Sequence, residues 1–326
     1  MGSKVSKVLI NFKDSNSLKN LSSPPILPSI SSDKNITTTL ARSRSETFKF
    51  ENGRRYVNDN NTFRYLLPND DEEIDRLQLQ HYLLRYVWQN NFSSPINEIL
   101  LSGADVLDVG CGPGTWILEM ASEYTQSRFI GIDIASIFPS EIKPYNATFQ
   151  KLDVTHRLPF DDNTFDFIHM RLMFVALREN DWKEIVFPEL FRILKPGGFI
   201  ESHEFDFNII NPGPNMTCLM NGFAQYFKGE NVNIFICPLI PGFLHETNFK
   251  NVNVINQPAK YGSWGGKFGK FAIDDFVTLF QAVKHKLCPI MKIDEDEYCD
   301  LLNKLEEEVN EHKTSYKVYR FIGTKP

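Results

Sequence analysis

The stretch Asp105-Val106-Leu107-Asp108-Val109-Gly110-Cys111-Gly112-Pro113-Gly114-Thr115-Trp116 constrains the fold of this chain more than any other. A short apolar run carrying one acid breaks at a glycine-rich turn. Apolar residues at helical spacing (Ile117, Leu118, Met120, Ala121, Tyr124) follow at once, which reads as strand, loop and helix. Such a turn lets a ligand approach the main chain and the unpaired N–H groups of a helix start. The spacing of the glycines then narrows the ligand. A dinucleotide site wants G-x-G-x-x-G, so that pyrophosphate can sit on the helix N-terminus. Here the glycines run G-x-G-x-G, with Asp108 two residues before the first. A carboxylate at that point repels a pyrophosphate and pairs well with an ammonium group, so the nearby end of the ligand is expected to be cationic.

These residues resemble motif I of the class I S-adenosylmethionine-dependent methyltransferases, whose cofactor carries an α-ammonium and a sulfonium. The resemblance implies S-adenosyl-L-methionine as cofactor, with Asp108, Gly110, Gly112 and Gly114 around its methionine part. A second strand, Arg128-Phe129-Ile130-Gly131-Ile132-Asp133, ends in an acid nineteen residues past Gly114. That is close to the ~20 expected for a carboxylate gripping ribose hydroxyls, so Asp133 is the expected ribose ligand, with Ile134 beside it. A third strand, Ala147 to Leu152, ends in Asp153-Val154, and the resemblance gives these two the adenine edge. A fourth strand, Thr164 to Arg171, brings His169, Met170 and Arg171 near the pocket, since ligands of open α/β sheets lie beyond the carboxyl ends of the strands. Met170 joins the expected cofactor set.

A helical pattern from Asn180 to Leu194 is interrupted by Pro188, which must kink it or begin a new segment. Lys195-Pro196-Gly197-Gly198 suits a type II turn before a fifth strand, Phe199 to Phe205. Alternation of strands with helical segments predicts a doubly wound α/β sheet. The resemblance adds its form: a Rossmann-like, seven-stranded, mostly parallel sheet with an antiparallel last strand inserted between neighbours. Residues 251–255 and 316–322 are the sixth and seventh strands, with helical pieces near 216–228 and 242–247. Two amphipathic helices lie in the insertion, where Glu306, Glu307 and Glu308 are expected to form a solvated face rather than a metal site.

Upstream of the motif, Asp71, Glu72 and Glu73 load the first turn of a helix whose Ile74, Leu77, His81, Leu84 and Trp88 form one face, His81 as a core histidine. The arginine-tyrosine pair Arg55-Tyr56, then Tyr65-Leu66-Leu67-Pro68-Asn69-Asp70, then the helix from Glu73 to His81 together resemble the fungal LaeA-like methyltransferases. That family is associated with regulation of secondary metabolism and development. The likeness runs from about Gly53 to the C-terminus. It implies a domain over 48–326, with an N-terminal helical cap at 48–100 and a helical insertion at 259–315.

Residues 1–47 are rich in Ser, Asn, Thr and Lys with no sustained period, and are expected to be a disordered tail. Within it, Met1-Gly2-Ser3-Lys4-Val5-Ser6 matches the pattern for myristoylation of Gly2, which would give weak membrane attachment; a chance match is the competing reading. Arg42-Ser43-Arg44-Ser45 resembles a basic-directed phosphorylation site. A net charge of -6 shows no direct nucleic-acid signature, and five scattered cysteines suggest a reduced cytoplasmic or nuclear setting.

The expected reaction is methyl transfer to an acceptor, a small metabolite or a protein, that no motif identifies. In-line alignment supplies much of the catalysis. A hydroxyl acceptor would need a base, for which His203, Glu204 and His169 are the candidates, although His203 and Glu204 alternate along one strand and face opposite ways. The competing function is a cofactor-binding regulatory module that docks protein partners with little or no turnover.

Overall fold

A computed structural model describes residues 48–57 and 66–326. The tail, the Gly2 pattern and Arg42 to Ser45 lie outside the described residues.

The chain opens with a hairpin, β1 (Phe48–Glu51) and β2 (Arg54–Val57), closed by Asn52-Gly53 with φ of 49° and 77° at the two turn residues. Both angles are those of a type I′ turn, which matches the twist of paired strands. Arg54 then grips Asp70 through two hydrogen bonds of 2.6 and 2.8 Å, and Arg55 donates to the Asn69 carbonyl at 2.5 Å. Asp70 also caps α1 (Asp71–Trp88) by accepting from the Glu73 N–H. The arginines and the Pro-Asn-Asp run therefore form one clamp that fixes where α1 begins.

After α2 (Asn97–Ser102) come β3 (Asp105–Val109), α3 (Thr115–Glu123), β4 (Arg128–Asp133), β5 (Ala147–Lys151) and β6 (Phe165–Arg171). A π-helical turn over Asp181–Val186 runs into α4 (Phe187–Ile193). Pro188 offers no N–H to the Glu184 carbonyl, so the backbone widens before it and a new helix starts around it. The remaining elements are β7 (Leu194–Phe205), α5 (Pro214–Gly229), α6 (Ile240–Glu246), β8 (Lys250–Lys260), α7 (Gly266–Met291), α8 (Glu295–Asn303), α9 (Leu305–Glu311) and β9 (Ser315–Thr324).

Seven of these strands form one sheet in the order β5-β4-β3-β6-β7-β9-β8, with β9 antiparallel to both neighbours and the others parallel. This is the expected Rossmann-like arrangement. One sheet face buries Val106 and Phe167 with Trp116 and Phe92, and the other buries Leu107, Ile168 and Ile200. Alternation along each strand thus decides which core a residue joins.

Three local expectations need correcting. Lys195 to Gly198 lies inside β7 rather than ahead of it; Gly197 has the φ of 80° that a type II turn asks of its third residue, and the pairing with β6 shifts register across it. The insertion holds three helices rather than two. Glu308 is not on a solvated face: it is buried and accepts from the Asn215 and Met216 N–H groups at 2.9 and 2.8 Å, satisfying the start of α5. Glu306 and Glu307 are exposed as expected. Among the described residues, no helix is long and apolar enough to cross a membrane.

Candidate functional site

A cavity of about 610 Å³ lies at the C-terminal ends of β3, β4 and β6 and is lined there by Gly110, Gly112, Asp133, Ile134, Asp153 and Val154. Gly110 has φ of 68°, a left-handed conformation that favours glycine, and a Cβ on it would push the Met173 thioether aside. Gly114 also has positive φ, but its missing Cβ makes room for the Phe149 ring and it does not line the cavity. Its role is packing.

Asp133 ends β4, as its spacing predicts. Its two oxygens accept from the Gly112 and Ala135 N–H groups, each at 2.8 Å. A carboxylate offers about four acceptor directions, so capacity remains toward the cavity. Burial pushes its pKa up to about 6, against the pull of those N–H groups. Asp153 is engaged locally: Thr155 donates to it through N–H and hydroxyl at 2.9 and 2.7 Å, and His156 lies 3.1 Å away. Thr115, at the start of α3, lines the same wall with its Oγ1 buried and lacking a partner among the described residues.

Asp108 departs from the expectation. Its side chain is buried on the Trp116 face of the sheet, does not line the cavity, and accepts a 2.6 Å hydrogen bond from His169 Nδ1. Parallel pairing of β3 with β6 sets Asp108 directly beside His169, whose ring stacks on Trp116 at 4.0 Å. Burial holds the His169 pKa below its ordinary value, so a neutral ring serves the carboxylate. Direct pairing of Asp108 with a ligand ammonium is thereby replaced by an internal pair, although its charge still acts on Asp133 across space. Met170 points into the opposite core and is fully buried, one residue short of Arg171, which does line the cavity.

None of the three candidate bases faces the cavity. His169 is committed to Asp108. His203 donates from Nε2 to Glu201 at 2.7 Å and is held neutral by burial, then by Arg320. Glu204 accepts from the Met173 and Phe174 N–H groups at 3.2 and 3.1 Å, fastening the loop that follows β6. His203 and Glu204 do face opposite ways. His81 is the expected core histidine, bonded to Glu119 at 2.8 Å.

Burial pushes the Glu204 pKa up to about 8, so this acid is protonated at neutral pH in the folded chain. A folded-state pKa above the ordinary 4.5 contributes stability that is complete below 4.5 and lost as pH rises toward 8. Urea unfolding of the wild type should therefore show stability falling between pH 5 and pH 8, and Glu204→Gln should flatten that slope. An unchanged slope in the variant would assign the dependence elsewhere.

The other end of the cavity was not visible in the sequence. Aromatic side chains from β7, α5, α7 and β9 wall it, and Arg76 and Asp275 meet there at 3.0 Å. The abundance of Phe, 27 in all, was the one available sign.

The family described as a methyltransferase domain matches residues 106–198. The methyltransferase pytC of Aspergillus terreus is 27% identical over 245 residues, covering 73% of this chain and 72% of its own. The protein-methionine methyltransferase laeA of Emericella nidulans is 30% identical over 51% of this chain and 42% of its own, and the secondary metabolism regulator LAE1 of Cochliobolus heterostrophus 31% over 48% and 50%. The chain thus spans half or less of these two regulators. Among solved structures, phosphoethanolamine N-methyltransferase 2 of Haemonchus contortus overlays with a TM-score of 0.45 at 18% identity, over 81% of this chain and 61% of its own. The matched domain, the relatives and the sheet order together support a class I S-adenosylmethionine-dependent methyltransferase. Within that class its sequence is LaeA-like.

Proposed function

We propose that the chain methylates a small molecule held in the aromatic end of the cavity, with the cofactor at the strand tips. When bound, S-adenosylmethionine supplies a methyl group already activated on a sulfonium. In this reading Asp133 accepts from the ribose hydroxyls, Asp153 and Val154 meet the adenine, and the Gly110 to Gly112 main chain lies along the methionine part. The buried Thr115 Oγ1, without a partner among the described residues, and the spare acceptor capacity of Asp133 both fit such a polar ligand. The observation that carries the reading is a single cavity that runs from these residues to the aromatic wall. Its dimensions are those of a small-molecule site. With His169, His203 and Glu204 turned away, alignment of the acceptor rather than proton removal supplies the catalysis.

A second reading follows from the LaeA-like relatives, whose names describe regulators and a methyltransferase acting on protein methionine. Incubation of the full chain with methyl-labelled cofactor and a cell extract separates the two. Label in the small-molecule fraction is the expected result. Label confined to protein would favour the regulator, and cofactor binding without any transfer would favour a docking module.

A further inference from the structure

Seven aromatic rings that line the cavity form a closed circuit of contacts. Phe205 meets Phe207 with centroids 6.3 Å apart, Phe207 meets Phe223 at 5.4 Å, and Phe223 meets Phe280 at 5.2 Å. Phe280 meets Phe276 at 4.3 Å, Phe276 meets Tyr261 at 5.5 Å, Tyr261 meets Tyr316 at 4.4 Å, and Tyr316 returns to Phe205 at 5.3 Å. All seven line the cavity. Asp275 of α7 lines it too, accepting from Arg76 at 3.0 Å and from Gln80 at 3.4 Å. Arg76 is already bound by Glu73 through two hydrogen bonds of 2.9 and 2.7 Å. Two carboxylates therefore share the Arg76 guanidinium at this wall, and Asp275 presents its carboxyl to the cavity.

We propose that the acceptor is a compact aryl-alkyl amine methylated on nitrogen, held by the ring circuit and by the charge of Asp275. This rests on the methyl-transfer reading above. Aromatic faces carry negative potential and attract a desolvated cation. The bound ammonium first gives its proton to solvent, which an alkyl amine of pKa about 10.4 can do; the freed lone pair then forms the new N–C bond as the S–C bond breaks, and the electron pair of that bond stays on sulfur. One positive charge passes from sulfur to nitrogen, so the group that becomes cationic does so within a chamber suited to cations. A hydroxyl is far too weak an acid to give its proton to solvent and would need a base in the chamber, where the three candidates face elsewhere and Asp275 is held by Arg76 and Gln80. A carboxylate acceptor would meet like charge.

Calorimetry on the full chain saturated with S-adenosylhomocysteine tests this with phenethylamine and its uncharged isostere phenethyl alcohol. The amine should bind at least about tenfold more tightly than the alcohol. Asp275→Asn should remove most of that preference. Phe276→Leu, which deletes one ring and keeps an apolar side chain, should reduce it independently, so the test survives if either variant fails to fold. Equal affinities, absence of binding by both compounds, or a preference that persists in both variants would overturn the proposal. Failure of S-adenosylhomocysteine itself to bind would instead strike the cofactor reading on which the proposal depends.

Discussion

Asp133→Ala should lower the affinity for S-adenosylhomocysteine by at least about 100-fold, because hydrogen bonds to a charged acceptor contribute about 1.5–3 kcal/mol each and a ribose offers two hydroxyls. Isothermal calorimetry near pH 7.5 reads the effect directly. The side chain is held in place before any ligand arrives, since the Gly112 and Ala135 N–H groups fix both oxygens. That preorganisation has a pH signature. Burial raises the Asp133 pKa to about 6, so below this pH the carboxyl is protonated and has less to offer two donors. Cofactor affinity should fall as pH drops from 7 to 5 in the wild type, and Asp133→Asn should be weak and flat over the same range. The linkage to folding runs the other way: a folded pKa above the ordinary 3.8 means that unliganded stability is complete below 3.8 and declines as pH rises through about 6. Ionisation of Asp133 costs the empty protein stability that ligand binding restores. A dissociation constant unmoved by Asp133→Ala would remove the ribose assignment and the cofactor geometry built on it.

Asp133 was legible because its position follows from local spacing: a glycine turn, one helix and one strand fix the distance from Gly114. The strands were legible for the same reason, each being a short apolar run bounded by turn residues, as was the break at Pro188; the antiparallel last strand between its neighbours followed only from the family resemblance. Where a side chain points was less accessible. Asp108 stands two residues before Gly110, and nothing in that interval says that His169, from a strand 61 residues away, will claim it. Glu308 sits in an acidic run that reads as a solvated face, yet the N–H groups it satisfies lie 93 and 92 residues earlier in the chain. The ring circuit is the extreme case. Its members come from β7, α5, α7, β9 and the connections between them, so no window of sequence contains the pattern, and only the closing of the sheet by β9 brings Tyr316 to Phe205.

Glu201→Ala should destabilise the fold by about 3–5 kcal/mol, the usual consequence of deleting one partner of a buried charge pair. Glu201 is fully buried on β7 and accepts from the Ser93 and Ser94 N–H groups at 2.9 and 2.7 Å, the Ser94 hydroxyl at 2.6 Å and His203 at 2.7 Å. Arg320 of β9 lies 3.4 Å away, stacked over Trp88 and bonded to Ser93 Oγ and the Asn90 carbonyl. One carboxylate thus ties the loop after α1 to the sheet. Its loss would leave Arg320 charged in a buried setting and two backbone donors unpaired. The hydrogen bonds from His203 and Ser94 and the Arg320 guanidinium win over burial and hold its pKa down at about 2, which makes the acid limb diagnostic. A folded pKa below the ordinary 4.5 contributes stability that is present above 4.5 and lost as pH falls toward 2. Urea unfolding should show that loss in the wild type and little of it in Glu201→Gln. Glu204, three residues along the same strand, has the opposite dependence, because it faces the other core and meets no cation. A Glu201→Ala variant as stable as the wild type at pH 7 would mean that the loop is anchored by Trp88 and Arg320 alone, with the carboxylate contributing nothing net to the join between the N-terminal helix and the sheet.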